Sequence, residues 1–226
     1  MNIFALSKCP VESAKQMLDK HVVKMPTETC QMLHTNLLYF MYKAKFSREP
    51  SLRDLKVFYR IRSNKVQHLM KPAMLNHPST IWARQSRLNF LWLYSHGFAL
   101  CNEYTYRYGK THGSYDRILD CESYVELVNA YDFPISGLTP VTIAMDNSYR
   151  LDKEEYSQRN PNWTGWDFVI DSYQHYYLEG KWRFAEWKKD RMPQWWPSNW
   201  YAKKYNVGVR AYNAKKPKYP QTLMEE

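Results

Sequence analysis

The chain has little glycine and lacks the glycine-rich loops that bind phosphates. Only 7 of its 226 residues are glycine, and neither G-x-x-x-x-G-K nor G-x-G-x-x-G occurs. Such loops bring backbone N–H groups close to the phosphates of a nucleotide. Their absence therefore argues against a P-loop kinase and against a Rossmann-type dinucleotide enzyme. No cofactor is evident from the sequence.

Cysteine pairs and long apolar runs are missing as well. The four cysteines, at positions 9, 30, 101 and 121, form no C-x-x-C motif and have no histidine at a metal-like spacing. They are typical of reduced, mostly structural thiols. The first residues lack the features of a signal peptide, and no run is apolar for long enough to cross a membrane. We therefore expect a soluble, intracellular protein.

Positive charge and aromatic side chains are abundant. The chain carries 32 Lys and Arg against 22 Asp and Glu, a formal charge of +10, with 9 Trp, 19 Tyr and 9 Phe. A basic surface attracts an anionic partner, and bases stack on aromatic rings. This combination favours a nucleic acid or a nucleotide as the partner. The alternative is that the aromatic residues fill a core that is poor in Ile and Val. The oligomeric state is not indicated.

The spacing of apolar residues predicts a mostly α-helical protein with one globular domain over residues 1–200. A basic, aromatic tail over residues 201–226 would pack on that domain or contact the partner through its lysines. At most a short strand or small sheet is expected, with Asn2 to Leu6 as the candidate strand. The predicted helices are Val11 to Lys45, as one kinked helix or two helices meeting at Pro26, then Leu52 to Leu69, Ser79 or Thr80 to Tyr108, Tyr115 to Tyr131 and Asp167 to Lys189.

The run from Asp19 to Glu28 concentrates residues that can perform chemistry. At about 3.6 residues per turn, His21, Lys24 and Glu28 fall on one helix face. A proton carrier, an ammonium and a carboxylate would then lie within reach of one another. The same spacing also describes an ordinary solvated face with ion pairs, so both interpretations stay open.

A second polar stripe follows the predicted helix that ends before Gly109. It lies opposite Leu88, Leu91, Phe98 and Cys101, and polar residues along one face of an apolar helix are expected to line a cleft or to hydrogen-bond each other. We expect this stripe to face His21, Lys24 and Glu28 across that cleft. Its members are Trp82, Gln85, Asn89, Trp92, His96, Glu103 and Arg107.

Several sequence runs resemble a family of small basic proteins encoded by tailed bacteriophages. They are D-K-H-V-V-K-M at 19–25, N-H-P at 76–78, W-A-R at 82–84, E-Y-T-Y-R-Y-G-K at 103–110 and G-L-T-P at 137–140. The resemblance covers most of residues 1–200, but Leu18 stands where family members often have cysteine. It implies a phage origin and a bacterial cytoplasm, with phage DNA, its nucleotides or a host defence signal as the target.

Together these features favour an enzyme that acts on nucleic-acid bases or nucleotides, either a base-modifying transferase or a glycosylase-like hydrolase. One alternative is a non-enzymatic nucleic-acid or nucleotide binding protein with a role against host defence. The other is a metal-dependent nuclease with Asp19, His21, Glu28, His77, Glu103 and His112 as candidate ligands. In the favoured hypothesis His21, Glu28 and Glu103 are catalytic. The substrate-binding candidates are Lys24, Asn76, His77, Trp82, Arg84, Asn89, Trp92, Arg107 and Lys110.

Overall fold

The computed structural model describes residues 1–62 and 68–197. These residues are mostly helical and contain no β-strand, which confirms the predicted fold class. The tail lysines Lys203, Lys204, Lys215 and Lys216 lie outside the described residues. The α-helices are α1 (Pro10–Gln16), α2 (Asp19–Phe46), α3 (Leu52–Ile61), α4 (Pro78–Gln85), α5 (Arg87–Tyr108), α6 (Tyr115–Leu119), α7 (Val125–Ala130), α8 (Lys153–Arg159) and α9 (Gly165–Tyr176).

Helix α2 is the central element, and it continues through its internal proline. Pro26 lies inside the 28-residue helix, whereas the chain breaks earlier, where Leu18 has an extended backbone. A proline removes one helical hydrogen bond. Because α2 is buried along most of its length, tertiary packing keeps it helical across Pro26. The predicted segment from residue 11 is therefore two helices that meet before Asp19, not at Pro26.

Helices α2 and α5 pack side by side, as predicted for the two motif helices. Their close approach occurs at Gly97, where an added Cβ would lie 2.6 Å from the Thr29 methyl carbon and 3.2 Å from Ile118. Contacts under 3 Å require one side chain to shift. Gly97 therefore allows the two long helices to approach each other.

The predicted helix from Ser79 or Thr80 to Tyr108 is two helices. His77 caps α4, and Ser86 interrupts the chain with an extended backbone. The Ser86 hydroxyl accepts from the Leu88 N–H and donates to the Gly137 carbonyl, and Ile135 N–H donates to the Gln85 carbonyl. This tertiary contact overrides the helical periodicity. The predicted end is confirmed, since Gly109 adopts a left-handed conformation with φ of 66°.

The N-terminal segment is not a strand, so the prediction for Asn2 to Leu6 is wrong. Its residues Ile3 to Leu6 are buried. The Leu6 N–H donates to the Ser13 hydroxyl at 3.1 Å, and that hydroxyl donates to the Phe4 carbonyl at 3.3 Å. A side chain of α1 thus takes the place of a neighbouring strand and fixes the N-terminus beside α2.

The aromatic residues after α9 cover the junction between α1 and α2. The indole N–H groups of Trp187 and Trp195 donate to the backbone and side-chain oxygens of Gln16, both at 2.8 Å. Tyr173 and Tyr177 are completely buried. Many of the aromatic residues therefore fill the core. All four cysteines are free thiols, and no helix among the described residues has the length and apolar character needed to cross a membrane.

Candidate functional site

Glu28 lies between two amino groups near the surface. Its Oε1 is 2.9 Å from Lys24 Nζ, one helical turn earlier on α2. Its Oε2 accepts from the Asn2 backbone N–H at 3.0 Å and lies 3.9 Å from the amino nitrogen of Met1. The Glu28 side chain is 16% exposed. A carboxylate with two neighbouring amines is an arrangement suited to nucleophilic or proton-transfer chemistry.

Asn2 fixes the chain beside Glu28. Its Nδ2 donates to the Ala144 carbonyl at 2.7 Å, and its Oδ1 accepts from the Tyr173 hydroxyl at 2.7 Å. The Ile3 N–H also donates to this Oδ1. Three side-chain hydrogen bonds therefore hold the first residues in register with Glu28. Neither Asn2 nor the Met1 amine was predicted from the sequence, where the one signal is a polar residue in an otherwise apolar N-terminal segment.

His77 extends this arrangement from the start of α4. Burial and the positive charge of the N-terminal amine lower the pKa of His77, while the Glu28 carboxylate opposes that shift. The His77 Nδ1 accepts from the Ser79 N–H at 3.2 Å, which fixes the imidazole ring at the helix end. Asn76 is exposed in the preceding loop. Of the predicted site residues, Lys24 and Glu28 form an ion pair, His77 lies close enough to Glu28 for the carboxylate charge to act on its pKa, and Asn76 precedes His77 in the chain.

The loop after α5 packs against the same part of α2. His112 Nε2 bonds to the Val23 carbonyl at 3.1 Å, and the hydroxyls of Thr27 and Ser114 lie 3.3 Å apart. Lys110 is exposed on this loop. It remains a candidate for contact with an anionic substrate near Lys24.

His21 is buried in an aromatic environment, away from the surface. Its ring stacks on Phe4 with 4.0 Å between centroids, and its Nδ1 lies 2.6 Å from the Tyr177 hydroxyl. Burial, together with the nearby charges of Lys181 and Lys24, lowers the pKa of His21 to about 3. The imidazole is therefore neutral near pH 7 and is held structurally, so we no longer assign His21 to proton transfer.

Glu103 and Arg107 belong to a buried ion network. Arg107 is 2.9 Å from Asp19 and 2.7 Å from Glu103, and its guanidinium also donates to the backbone carbonyls of Met17 and Lys15, each at 2.8 Å. The Arg107 side chain is 0% exposed. Its donors are occupied by the protein, so Arg107 joins α5 to the α1–α2 junction and has no face for a phosphate. Glu103 serves the same network.

Trp82, Asn89 and Trp92 of the stripe are also in the interior, whereas Gln85 is partly exposed. Trp82 is 1% exposed and Trp92 is 5% exposed. Asn89 is fully buried and bonds to Trp82 and Thr139. Their rings and amides pack within the protein, so no base can stack on them in this structure. The outward side of α5 instead carries Leu88, which is 42% exposed. The stripe therefore bonds within the protein and does not line the expected cleft facing Glu28 in the described part of the chain.

Arg84 likewise contacts protein groups. Its guanidinium donates to the Leu75 carbonyl at 2.7 Å and lies 4.7 Å above the Tyr39 ring. Burial lowers the pKa of Arg84 from its ordinary value. These contacts hold α4 against α2.

The structure does not bring the candidate nuclease ligands together. Residues 1–62 and 68–197 contain no group of three or more His, Cys, Asp or Glu side chains that could hold a metal ion.

Comparison with known proteins identifies a family. The family model described as pyrimidine dimer DNA glycosylase matches residues 1–116, which is just over half of the 226-residue chain. The match includes Lys24, Glu28 and His77. No curated protein and no solved structure matches the chain. The phage origin implied by the motif resemblance stays a prediction.

Proposed function

Because the chain belongs to the pyrimidine dimer DNA glycosylase family, we propose that it cleaves the glycosidic bond of a dimerised pyrimidine in DNA. The observation that carries the proposal is the position of Glu28 between two amino groups. DNA is the expected partner, and the formal charge of +10 suits a polyanion.

Excision needs a group that replaces the base at the sugar C1′ atom. A neutral amine can donate its lone pair to C1′ while the electron pair of the C1′–N1 bond leaves with the pyrimidine. The amine then loses a proton, which the Glu28 carboxylate can accept. The same carboxylate can stabilise the positive charge that develops on the sugar as the bond breaks. Glu28 thus has two roles that an amide would not perform.

Two amines compete for the role of nucleophile. The Met1 amine is held in place by the anchored Asn2, whose backbone N–H donates to Glu28. The Lys24 side chain is 70% exposed and reaches Glu28 from the solvent side. We therefore assign the nucleophile to the N-terminal amine and phosphate binding to Lys24.

The loops beside Glu28 supply the remaining substrate contacts in this proposal. His77 reaches the site from the start of α4, with Asn76 exposed beside it, and Lys110 lies on the loop packed against α2. These side chains can donate hydrogen bonds to phosphate or base oxygens. The buried residues Trp82, Trp92, Arg107 and Glu103 are not included.

The proposal is tested by measuring base release from a duplex with one pyrimidine dimer under single-turnover conditions. Glu28→Gln should lower the rate by about 10²-fold or more, the usual contribution of a positioned acid or base. Glu155→Gln is the matched control, because Glu155 also forms an i,i+4 ion pair, with Arg159. The control should retain the wild-type rate.

Binding to the same duplex should survive in Glu28→Gln, which distinguishes lost chemistry from lost recognition. A wild-type protein that binds the duplex but releases no base would contradict the proposal and favour the non-enzymatic alternative. Equal rates for Glu28→Gln and wild type would remove Glu28 from the reaction.

A further inference from the structure

A basic groove lies between α3 and the segment that leads to α4. It has a volume of about 450 Å³ and is lined by Lys56, Tyr59, Arg60, Lys71 and Pro72. Three of these five residues are cationic and none is acidic. The Tyr59 hydroxyl donates to the Leu69 carbonyl at 3.0 Å, which ties the two walls together. The groove is therefore a defined concave surface of one charge sign.

The cations of this groove are not neutralised within residues 1–62 and 68–197. Lys56, Arg60 and Lys71 form no ion pair there, although two neighbouring cations do: Lys43 pairs with Glu49, and Arg48 pairs with Asp54. The residues of α3 that carry the charges, Lys56 and Arg60, are exposed and one turn apart. Cations on one helix face that have no ion pair in the described part of the chain favour a polyanion with regularly spaced charges.

The groove connects to the Glu28 site along α2. Gln31, which follows Glu28 by three residues, donates through its side chain to the Lys71 carbonyl. The Thr35 hydroxyl donates to the Ala73 carbonyl at 3.1 Å, and the His34 Nδ1 accepts from the Met70 N–H at 2.8 Å. The wall of the groove is thus attached to α2 within one to two turns of Glu28. A rise of about 1.5 Å per residue puts Gln31 roughly 5 Å along the helix from Glu28.

We infer that this groove binds the phosphate backbone of duplex DNA next to the nucleotide whose base is excised. The inference rests on the proposed function, and it adds a contact surface outside the residues around Glu28. Lys56 and Arg60 contact phosphates from α3, and Lys71 contacts the same strand from the opposite wall. Contacts of this kind position the duplex and carry no sequence preference.

The test is the salt dependence of binding to an undamaged duplex. The double variant Lys56→Gln/Arg60→Gln should flatten the slope of log affinity against log salt by up to about 1.8, at about 0.9 for each phosphate. Lys71→Gln should flatten it by about 0.9. The control is Lys153→Gln/Arg159→Gln, which removes two charges from the exposed helix α8. It should leave the slope unchanged.

A methylphosphonate scan of the phosphates flanking a dimer locates the contact. A neutral methylphosphonate at one or two neighbouring positions should weaken DNA binding by wild type. The same replacements should leave the affinity of the double variant unchanged. Equal slopes for the groove and control variants, or an unchanged scan, would overturn the groove assignment even if wild type excises the base. A flattened slope without base release by wild type would keep the groove as a DNA surface while the proposed function fails.

Discussion

Arg107→Met tests whether the most conspicuous charged residues of α5 stabilise the fold or bind substrate. The substitution keeps a side chain of similar length and removes every donor. Asp19 and Glu103 would lose the cation that lies 2.9 and 2.7 Å from them in the interior. Asp19 would keep a bond from the Lys188 N–H at 3.1 Å, and Glu103 would keep Arg191 at 3.0 Å.

Removing one partner from a buried ion pair typically costs about 3–5 kcal/mol, since a charge is left in a weakly solvated site. The carbonyls of Met17 and Lys15 also lose their donor, and the surviving bonds of Asp19 and Glu103 offset part of that loss. For a domain of this size each kcal/mol shifts Tm by about 2–4 °C. Arg107→Met should therefore lower Tm by roughly 6–20 °C.

The assay is thermal unfolding followed by circular dichroism at pH 7, with DNA binding measured at a temperature where both proteins are folded. Arg107→Met should leave the slope of log affinity against log salt unchanged, because the guanidinium does not reach the surface. A Tm within about 2 °C of wild type, combined with weakened binding, would refute the structural assignment and restore Arg107 as a phosphate contact.

Two further predictions concern buried positions on α5. Burial lowers the pKa of His96 to about 3, and neither ring nitrogen has a hydrogen-bond partner among the described residues. The unfolded chain binds this proton near pH 6.5, so the protein loses stability as pH falls from about 6.5 toward 3. The difference in free energy of unfolding between His96→Phe and wild type, measured by urea titration, should therefore be about 2 kcal/mol more in favour of the variant at pH 5 than at pH 7. An equal difference at both pH values would contradict this. Gly97→Ala should cost about 1–3 kcal/mol, since its methyl would meet Thr29 at 2.6 Å. Thr29→Ser should recover most of that loss, and a double variant as unstable as the single one would contradict the contact.

Helical periodicity was enough to predict the fold class, because most apolar positions follow a 3.6-residue repeat. It failed at Ser86, where contacts with Ile135 and Gly137 from a distant segment interrupt the helix. It left open whether one helix runs through Pro26, which the burial of α2 decides, and it missed the break at Leu18. Both errors have the same cause, since tertiary contacts decide where a helix ends.

For the candidate site, spacing correctly grouped Lys24 with Glu28, because residues four apart meet on a helix. It could not distinguish a polar stripe that lines a cleft from one that is buried and internally bonded, which is the case for Asn89, Glu103 and Arg107. The contribution of Asn2 was also unpredictable, since it depends on Tyr173 and Ala144, more than 140 residues away. Such long-range hydrogen bonds leave no local pattern in one sequence.

Covalent trapping tests most directly whether an amine beside Glu28 attacks the sugar. After the base has left, breaking of the C1′–O4′ bond opens the sugar ring, protonates O4′ and converts the C1′ amine into an imine. Wild-type protein is mixed with a dimer-containing duplex in the presence of borohydride, which reduces this imine between protein and sugar to a stable amine. Peptide mapping by mass spectrometry then locates the adduct. We predict an adduct on the N-terminal amine, absent from Glu28→Gln. Base release by wild type without any trapped adduct, or an adduct confined to Lys24, would contradict the assignment.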